Sequence, residues 1–214
     1  MNNSAANTGR VLWAGLRALL VLTVITGVLY PLAVTGIAQV AFPGKADGSE
    51  IEVDGKVVGS ALIGQTYLDG EAPDLRWFQP RPSNGLGTNS VNTQYELILS
   101  GATNRSGDNE DLVQWVTDAK AAVVEDNSVA GYTVEPSDVP ADAVTSSGSG
   151  LDPHISPAYA KLQVHRVAEK NRLTVAQVDR LVADHTDGRI LGFIGEPRVN
   201  VLELNIALRE LTKG

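Results

Sequence analysis

Residues 11–42 read VLWAGLRALLVLTVITGVLYPLAVTGIAQVAF, and this apolar stretch decides how the chain is organised. No charged residue lies between Arg17 and Lys45. A helix needs roughly 20 mainly apolar residues to cross the hydrocarbon core of a bilayer, and the stretch exceeds that length. The sequence therefore predicts one transmembrane helix, which we place at residues 11–36.

The charges on either side of the apolar stretch predict its orientation. Arg10 and Arg17 stand at its amino end without any acidic residue, whereas four acidic residues follow shortly after Lys45. Basic residues mark the cytoplasmic flank of a membrane span. We therefore expect residues 1–10 to be a cytoplasmic tail, and residues 43–214 to form a soluble extracytoplasmic domain at the plasma membrane.

A cleaved signal peptide is the alternative interpretation of the same stretch. Arg10 would then belong to the n-region, residues 18–30 would form the h-region, and Gly36-Ile37-Ala38 would supply the small-residue cleavage site. The length of the apolar run favours a permanent anchor. Within an anchor, Gly27 and Pro31 are tolerated where a neighbouring helix repairs the freed backbone groups, so they indicate helix packing.

Beyond the anchor the chain is acidic. That part holds all 25 acidic residues and 15 of the 17 basic residues, which gives a net charge of −10. Such a charge disfavours a nucleic-acid partner and adsorption on anionic lipid. The chain has no cysteine, so disulfides and thiolate metal sites are excluded. About 170 residues suffice for one domain with its own core.

Sequence patterns predict that this domain is mixed, either α/β or α+β. Alternating apolar residues over 51–63 surround an Asp54-Gly55 turn, which is typical of a hairpin. The composition of residues 64–107 predicts an extended ordered loop. The remaining signals are helix starts at Asp108, at Ser156-Pro157, at Thr174 with Gln177 and at Asn200 with Glu203, and a short buried strand over Ile190 to Ile194.

Motifs of catalysis are missing from the sequence. His154, His165 and His185 lack the spacing of a zinc site. The sequence also contains no nucleophile elbow, no phosphate loop and no P-type phosphorylation motif. We therefore expect no catalytic residue, no metal and no tightly bound cofactor, and any ATP would act through another subunit.

One segment could still contact a nucleotide. Residues 100–104 read SGATN, and their backbone amides and small hydroxyls could face a phosphate. Ser100, Gly101 and Asn104 are therefore the nucleotide-contact candidates. The alternative is an ordinary turn, since the same residue types are typical of turns.

Two neighbouring predicted helices, at residues 156–170 and 174–186, imitate a helix-turn-helix. The second helix carries Asp179 and Asp184 against a single Arg180. These carboxylates would repel nucleic-acid phosphates. The sequence therefore argues against DNA binding.

Four segments and one step in the anchor carry a family resemblance. They are GSALIGQ at 59–65, FQPRPS at 78–83, VTSSGSGLDPHISP at 144–157, GEPRVNVLELN at 195–205, and Tyr30-Pro31-Leu32 in the span. In this order, the segments closely resemble the C subunit of the bacterial Kdp potassium-transporting ATPase. The resemblance covers nearly the whole chain.

This resemblance implies a place in a complex. Its other members would be a channel-like subunit that passes potassium, a P-type pump subunit that hydrolyses ATP, and a very small membrane subunit. The chain would be the non-catalytic accessory member, which stabilises the assembly and helps the pump subunit bind ATP as a catalytic chaperone. In this sequence Ala102 replaces the second glycine of the family's loop pattern, so the residue that can take any backbone angle is missing there.

The predicted topology puts the domain outside the cell, at the extracellular mouth of the channel-like subunit.

The motif positions also supply candidates for subunit contacts. For Arg81 and Arg198, a pair within the domain or a solvated side chain is the alternative to an interface ion pair. The competing function is a free-standing membrane-anchored extracytoplasmic domain that binds a solute or a cell-wall component. The full set of subunit-interface candidates is Gly27, Tyr30, Pro31, Gln65, Arg81, Asp152, His154, Arg198 and Asn200.

Overall fold

The computed structural model describes residues 3–83 and 100–213. The chain divides into two compact units, Met1–Glu50 and Ile51–Gly214. The first unit is helical, and the second is a mixture of helices and short strands. This arrangement confirms the predicted fold class of one amino-terminal span followed by a mixed domain.

The first unit is built on one continuous helical segment. Helix α1 (Asn3–Val24) passes through a π-helical turn (Ile25–Leu29) into helix α2 (Tyr30–Ala41). In the π turn, the Tyr30 N–H donates to the carbonyl of residue 25, five positions back. Pro31 has no N–H and its ring crowds the preceding turn, and a π turn is one way to relieve that crowding. The helix is therefore continuous through the proline.

The helical segment has the length and composition of a membrane span. Residues 6–41 form one helix that is long and apolar enough to cross a bilayer. It extends past both bounds of the predicted span, 11–36, so part of the segment predicted as a tail is helical. Its large apolar side chains are exposed all round, which is typical of a helix whose solvent is lipid or another helix. A single turn, α3 (Pro43–Ala46), follows it.

The second unit begins with two small hairpins. Strands β1 (Glu50–Val53) and β2 (Lys56–Ser60) pair, and the predicted hairpin is confirmed. The turn residues Asp54 and Gly55 both have positive φ, 54° and 74°, as a type I′ hairpin turn requires.

A second hairpin lies inside the region predicted to be a loop. Strands β3 (Leu68–Asp69) and β4 (Ala72–Pro73) are antiparallel, two residues each, and pair around Gly70. Pro73 is the last residue of this strand, and the sheet has only two strands, so its missing N–H does not interrupt the hydrogen bonds of a larger sheet. The rest of the predicted loop is irregular as far as Ser83, and its residues 84–99 lie outside the described part of the chain.

Four helices follow, each with a side-chain cap at its amino end. Helix α4 (Glu110–Asn127) is capped by Asn109, one residue later than predicted, whose Oδ1 accepts from the Leu112 N–H at 3.0 Å. A short 3₁₀ turn (Ala141–Ala143) precedes the second helix. Helix α5 (Pro157–Asn171) is capped by Ser156 as predicted.

The last two helices start where the capping patterns predicted. Helix α6 (Val175–Asp184) has a complete capping box between Thr174 and Gln177. Helix α7 (Val201–Lys213) is capped by Asn200, whose Oδ1 accepts from the N–H groups of residues 202 and 203. These caps satisfy backbone donors that a helix leaves unpaired at its start.

A three-stranded antiparallel sheet joins these helices. It contains β5 (His154–Ile155), β6 (Thr186–Asp187) and β7 (Arg198–Asn200), in the order β5-β7-β6. The register pairs His154 with Asn200 and Asp187 with Arg198. Because β7 is central, it brings the two motif segments around residues 154 and 200 side by side.

The hydrophobic core lies where α5, α6 and α7 pack on this sheet. Helix α5 contributes most to it, because eight of its side chains are buried. Loop residues of the 75–79 region also enter the core through Phe78, which has no exposed surface. Among the residues without exposed surface are Ala160, Val167, Val178, Val182, Val199, Leu204 and Leu208.

The buried strand predicted over Ile190 to Ile194 is wrong. Ile190 and Ile194 do not belong to a buried strand but close a turn between β6 and β7, and the residues between them are exposed. A short apolar run flanked by glycines satisfies the pattern of a buried strand equally well. The apolar side chains of this run are 48% to 80% exposed, so packing within the described residues does not make it a buried strand.

Candidate functional site

The motif segments converge, and their polar side chains bond one another across long stretches of sequence. The Asn205 side chain accepts from the Phe78 N–H and donates to the Phe78 carbonyl, both at 2.9 Å. Asn200 donates through Nδ2 to the Ala61 carbonyl at 2.9 Å. These two asparagines stand on the β7–α7 segment, so one element ties the first, second and fourth motifs together.

Arg81 is the polar centre of this convergence. Its Nη1 lies 3.3 Å from Asp152 Oδ2, and its other nitrogens donate to the carbonyls of Thr145 and Ser146, each at 3.3 Å. His154 approaches the same carboxylate, with Nδ1 3.2 Å from Asp152 Oδ1. Arg81, Asp152 and His154 therefore form one half-buried cluster within the domain, which joins the second motif to the third.

The cluster sets the charge state of its carboxylate. Burial by itself would raise the pKa of Asp152, but hydrogen bonds from the His154 side chain and backbone and the charges of His154 and Arg81 outweigh it, so the pKa is lowered. Asp152 is therefore an anion at neutral pH. An intradomain pair was one of the alternatives for Arg81, while a subunit contact through the partly exposed cluster stays a prediction.

The remaining interface candidates of the domain lie apart from this cluster or beneath the surface. Gln65 is buried and donates to the Val58 carbonyl at 2.9 Å. Arg198 is the first residue of the central strand β7 and is half-exposed, with its Nε 3.6 Å from Oδ2 of Asp187 on the edge strand β6. Gln65 and Asn200 are thus bonded within the domain, and Arg198 pairs with its strand neighbour.

The candidate nucleotide loop forms one wall of a cavity that Pro82 and Ser83 also line. The cavity has a volume of about 750 Å³ and lies between residues 101–105, residues 144–150 and helix α4. Gly150 is a point of close approach between these loops. It has a φ of 69°, and a Cβ there would stand 2.9 Å from the Gly101 carbonyl oxygen. Only glycine fits this position without displacing the neighbouring backbone.

Several polar groups of the candidate loop already have partners. The Gly101 N–H donates to the Ser149 carbonyl at 2.8 Å, and the Ser100 hydroxyl donates to the same oxygen at 3.2 Å. The Thr103 hydroxyl lies 2.6 Å from that of Ser146. Asn104 has a left-handed φ of 52°. The amide of Gly101 and the hydroxyl of Ser100 are therefore hydrogen-bonded to the 144–150 segment.

The cavity also holds a cation and an aromatic ring. The Arg105 guanidinium stands over the ring of Trp115 at 4.6 Å and pairs with Asp111 at 2.7 Å. Trp115 is exposed on α4. Stacking and pairing both satisfy the arginine, so it offers no free positive charge to a phosphate.

Arg166 is a central residue that the sequence patterns did not indicate. It is fully buried on α5, and its guanidinium donates to Asn127 Oδ1 at 2.8 Å and to Gln163 Oε1 at 2.6 Å. It also donates to the carbonyls of Leu75 and Trp77. Burial lowers its pKa to about 10. This arginine joins α4, α5 and the 75–79 loop through neutral acceptors.

Arg166 also lines a smaller cavity of about 240 Å³ with Tyr159 and Asp126. Burial raises the pKa of Tyr159 to about 12. Burial also raises the pKa of Asp126, although the charge of Arg166 opposes the shift. Within residues 3–83 and 100–213, no three His, Asp or Glu side chains are grouped so that they could hold a metal ion.

Comparison with known proteins agrees with the motif assignment. Residues 12–210 match the family described as "KdpC: K+-transporting ATPase, c chain". A "Potassium-transporting ATPase KdpC subunit" from Streptomyces avermitilis is 74% identical over 218 aligned positions, covering 99% of this chain and 98% of that protein. The subunit from Streptomyces coelicolor is 70% identical, covering 99% and 97%. That from Mycobacterium tuberculosis is 46% identical, covering 94% and 99%.

Proposed function

Because the chain belongs to the KdpC family of K+-transporting ATPase subunits, we propose that it is the non-catalytic accessory subunit of a high-affinity, ATP-driven potassium import complex. It stabilises this complex from the outer face of the membrane. Its partners are the channel-like potassium-translocating subunit, the P-type ATP-hydrolysing subunit and the very small membrane subunit.

The observation that supports this proposal is that the motif side chains form hydrogen bonds within the domain. Asn200, Asn205 and Arg81 each bond backbone carbonyls of another motif. A catalytic or phosphate-binding site needs polar groups that face a ligand, whereas these groups hold loops in place. The motifs therefore preserve a fixed surface for other proteins.

The anchor supports membership of a complex in a second way. Gly27 and the Tyr30-Pro31 step lie at the π turn, where the helix surface is irregular. Small residues and irregular turns let neighbouring transmembrane helices approach closely. We propose that Gly27, Tyr30 and Pro31 contact a helix of the channel-like subunit.

Support of ATP binding is the finer part of the proposal. The positive-inside bias supports a domain outside the cell, whereas ATP is inside. The subunit therefore supports ATP binding by the pump subunit through assembly, as a catalytic chaperone acting at a distance. Direct contact through Ser100, Gly101 and Asn104 is the alternative within this proposal.

Co-expression of the other three subunits with and without this chain tests the proposal. We expect the channel-like and pump subunits to co-purify in detergent only when the chain is present, and the KM for ATP of the pump to rise without it. If the two subunits co-purify equally well without the chain, the proposal is wrong. A chain that is stable and monodisperse alone would instead favour the free-standing binding domain.

A further inference from the structure

The smaller cavity, between helices α4 and α5 and the 66–83 segment, has a mainly apolar wall that contains charged groups. Its volume is about 240 Å³. A water molecule takes up roughly 30 Å³ of liquid, so the cavity has room for about eight waters or one small organic molecule. The charged residues that line it are Arg81, Asp126 and Arg166. Arg81 is paired with Asp152, so Asp126 and Arg166 set the charge of the cavity.

Helix α4 brings Asp126 to the cavity wall. Ala119, Ala122, Val123 and Asp126 all line the cavity, and their spacing places them on one face of the helix. Within the part of the chain that the structure describes, the Asp126 carboxyl group makes no hydrogen bond and no close ion pair. Burial raises its pKa, and the charge of Arg166 opposes that shift. The carboxyl group is therefore a hydrogen-bond acceptor that lacks a donor.

Helix α5 brings Tyr159 and Arg166 to the same cavity, seven residues apart on one face of the helix. The Tyr159 side chain is deeply buried, since the residue is only 4% exposed. Among residues 3–83 and 100–213, none forms a hydrogen bond with its hydroxyl group. Buried polar groups are nearly always hydrogen-bonded, so a buried hydroxyl without a partner in a cavity wall indicates a ligand or ordered water.

The Arg166 guanidinium has one N–H group without an acceptor. A guanidinium has five N–H groups, and this one makes four hydrogen bonds, to the side chains of Asn127 and Gln163 and to the carbonyls of Leu75 and Trp77. One N–H of Nη2 is left over. All four acceptors are neutral, so none of these contacts compensates the buried positive charge with a negative one.

The two opposite charges determine which kind of molecule fits the cavity. A simple cation attracted by Asp126 is repelled by Arg166, and a simple anion attracted by Arg166 is repelled by Asp126. A molecule that carries both an ammonium and a carboxylate group avoids both conflicts. Its ammonium donates to Asp126, and its carboxylate accepts from Arg166 and from the Tyr159 hydroxyl. The apolar part of the wall accommodates a short aliphatic side chain.

We propose that this cavity binds a small zwitterion, an α-amino acid with a short side chain, between Asp126 on α4 and the Arg166 and Tyr159 side chains on α5. Such a ligand gives each of the three groups the partner that it lacks within the domain. The inference goes beyond the proposed function, because the site involves neither potassium nor ATP and takes no group from another subunit. A ligand at this position connects α4 with α5, so its binding stabilises the domain.

Calorimetric titration of the full chain in detergent tests the class of ligand. The probes are L-alanine, which carries both charges, acetate, which carries only the negative charge, and methylammonium, which carries only the positive charge. We expect saturable binding of one L-alanine per chain, and roughly tenfold weaker binding or less for the other two. Acetate or methylammonium binding as tightly as L-alanine would overturn the inference in favour of a simple anion or cation site. Absence of saturable L-alanine binding would also overturn it, since the cavity would then hold water only.

Substitutions in the cavity wall test the position of the site. Asp126→Asn and Tyr159→Phe preserve side-chain size and remove groups that have no hydrogen-bond partner among the described residues, so both variants keep the fold. We expect each variant to weaken L-alanine binding by roughly tenfold. Asp118→Asn, at an exposed position of the same helix, is the matched control and should leave the affinity unchanged. Wild-type affinity in both cavity variants, or an equal loss in the control, would overturn the inference.

Discussion

The side-chain amide of Asn205 bonds both backbone groups of Phe78, 127 positions away in the sequence, at 2.9 Å each. Helix α7 thus gives both backbone groups of a loop residue the hydrogen bonds that a neighbouring strand would otherwise provide. The bond fixes Phe78, a fully buried ring of the core. The second and fourth motifs of the family are thus linked by one side chain.

Replacing Asn205 by alanine should therefore destabilise the domain. The change leaves the Phe78 N–H and carbonyl buried without partners, which costs about 2–4 kcal/mol of the free energy of unfolding. Urea unfolding of the full chain in detergent, followed by tryptophan fluorescence, measures this loss. The control is Thr212→Ala on the exposed side of α7, which should change little. Equal stability of both variants would refute the structural role of Asn205.

Arg166→Lys should destabilise the domain although it keeps the positive charge. A lysine keeps the positive charge but cannot serve acceptors on α4, α5 and the 75–79 loop at the same time. We expect a loss of about 3 kcal/mol in the free energy of unfolding, because a buried charge would be incompletely hydrogen-bonded. Arg172→Lys, at an exposed position just past the same helix, is the control. A loss of under about 0.5 kcal/mol for Arg166→Lys contradicts the joining role of this arginine.

Asp126→Asn should stabilise the domain at neutral pH. Burial raises the folded-state pKa of Asp126, so the stability contributed by its protonated carboxyl group is fully present below the unfolded-state pKa and is lost as the pH rises through the folded-state pKa, where the carboxylate opposes folding. The gain from the amide should thus be present at pH 7 and vanish near pH 3. Urea midpoints across this range measure it, with the exposed Asp118→Asn as control. A variant less stable than wild type at pH 7 would reverse the expected sign.

Gly27→Leu should weaken the complex without disturbing the anchor. A Cβ at Gly27 meets no atom within 4 Å in the isolated chain, and the same is true of Gly15, so neither substitution causes a clash within the helix. A leucine at the π turn would hinder a closely packed neighbouring helix. We expect Gly27→Leu, but not Gly15→Leu, to lower co-purification of the channel-like subunit. Equal yields for both variants would argue against helix packing there.

Local signals in the sequence predicted the starts of the helices and the first hairpin. The capping box at Thr174 and the Asp54-Gly55 turn are short-range patterns whose geometry is fixed by neighbouring backbone groups. These patterns need no tertiary context. The anchor was equally clear, because an uncharged apolar run of this length is typical of a helix that spans a bilayer.

Features that depend on tertiary contacts were missed. Arg166 stands among the apolar residues of α5, and nothing in its neighbours indicates that it is buried against distant carbonyls. The apolar run at 190–194 matched a buried strand because periodicity cannot reveal which surface covers it. For the same reason, the polar motif residues looked like interface candidates although most of them bond within the domain.

We propose that a helical anchor holds the assembly domain on the side of the membrane opposite to ATP. The chain contains no cysteine, so single cysteines placed at Ser4 and at Lys170 report the two sides separately. The measurement is labelling of intact cells with a membrane-impermeant maleimide. We expect Lys170→Cys to be labelled at once and Ser4→Cys only after permeabilisation. Labelling of Ser4→Cys in intact cells, with Lys170→Cys protected, would contradict it.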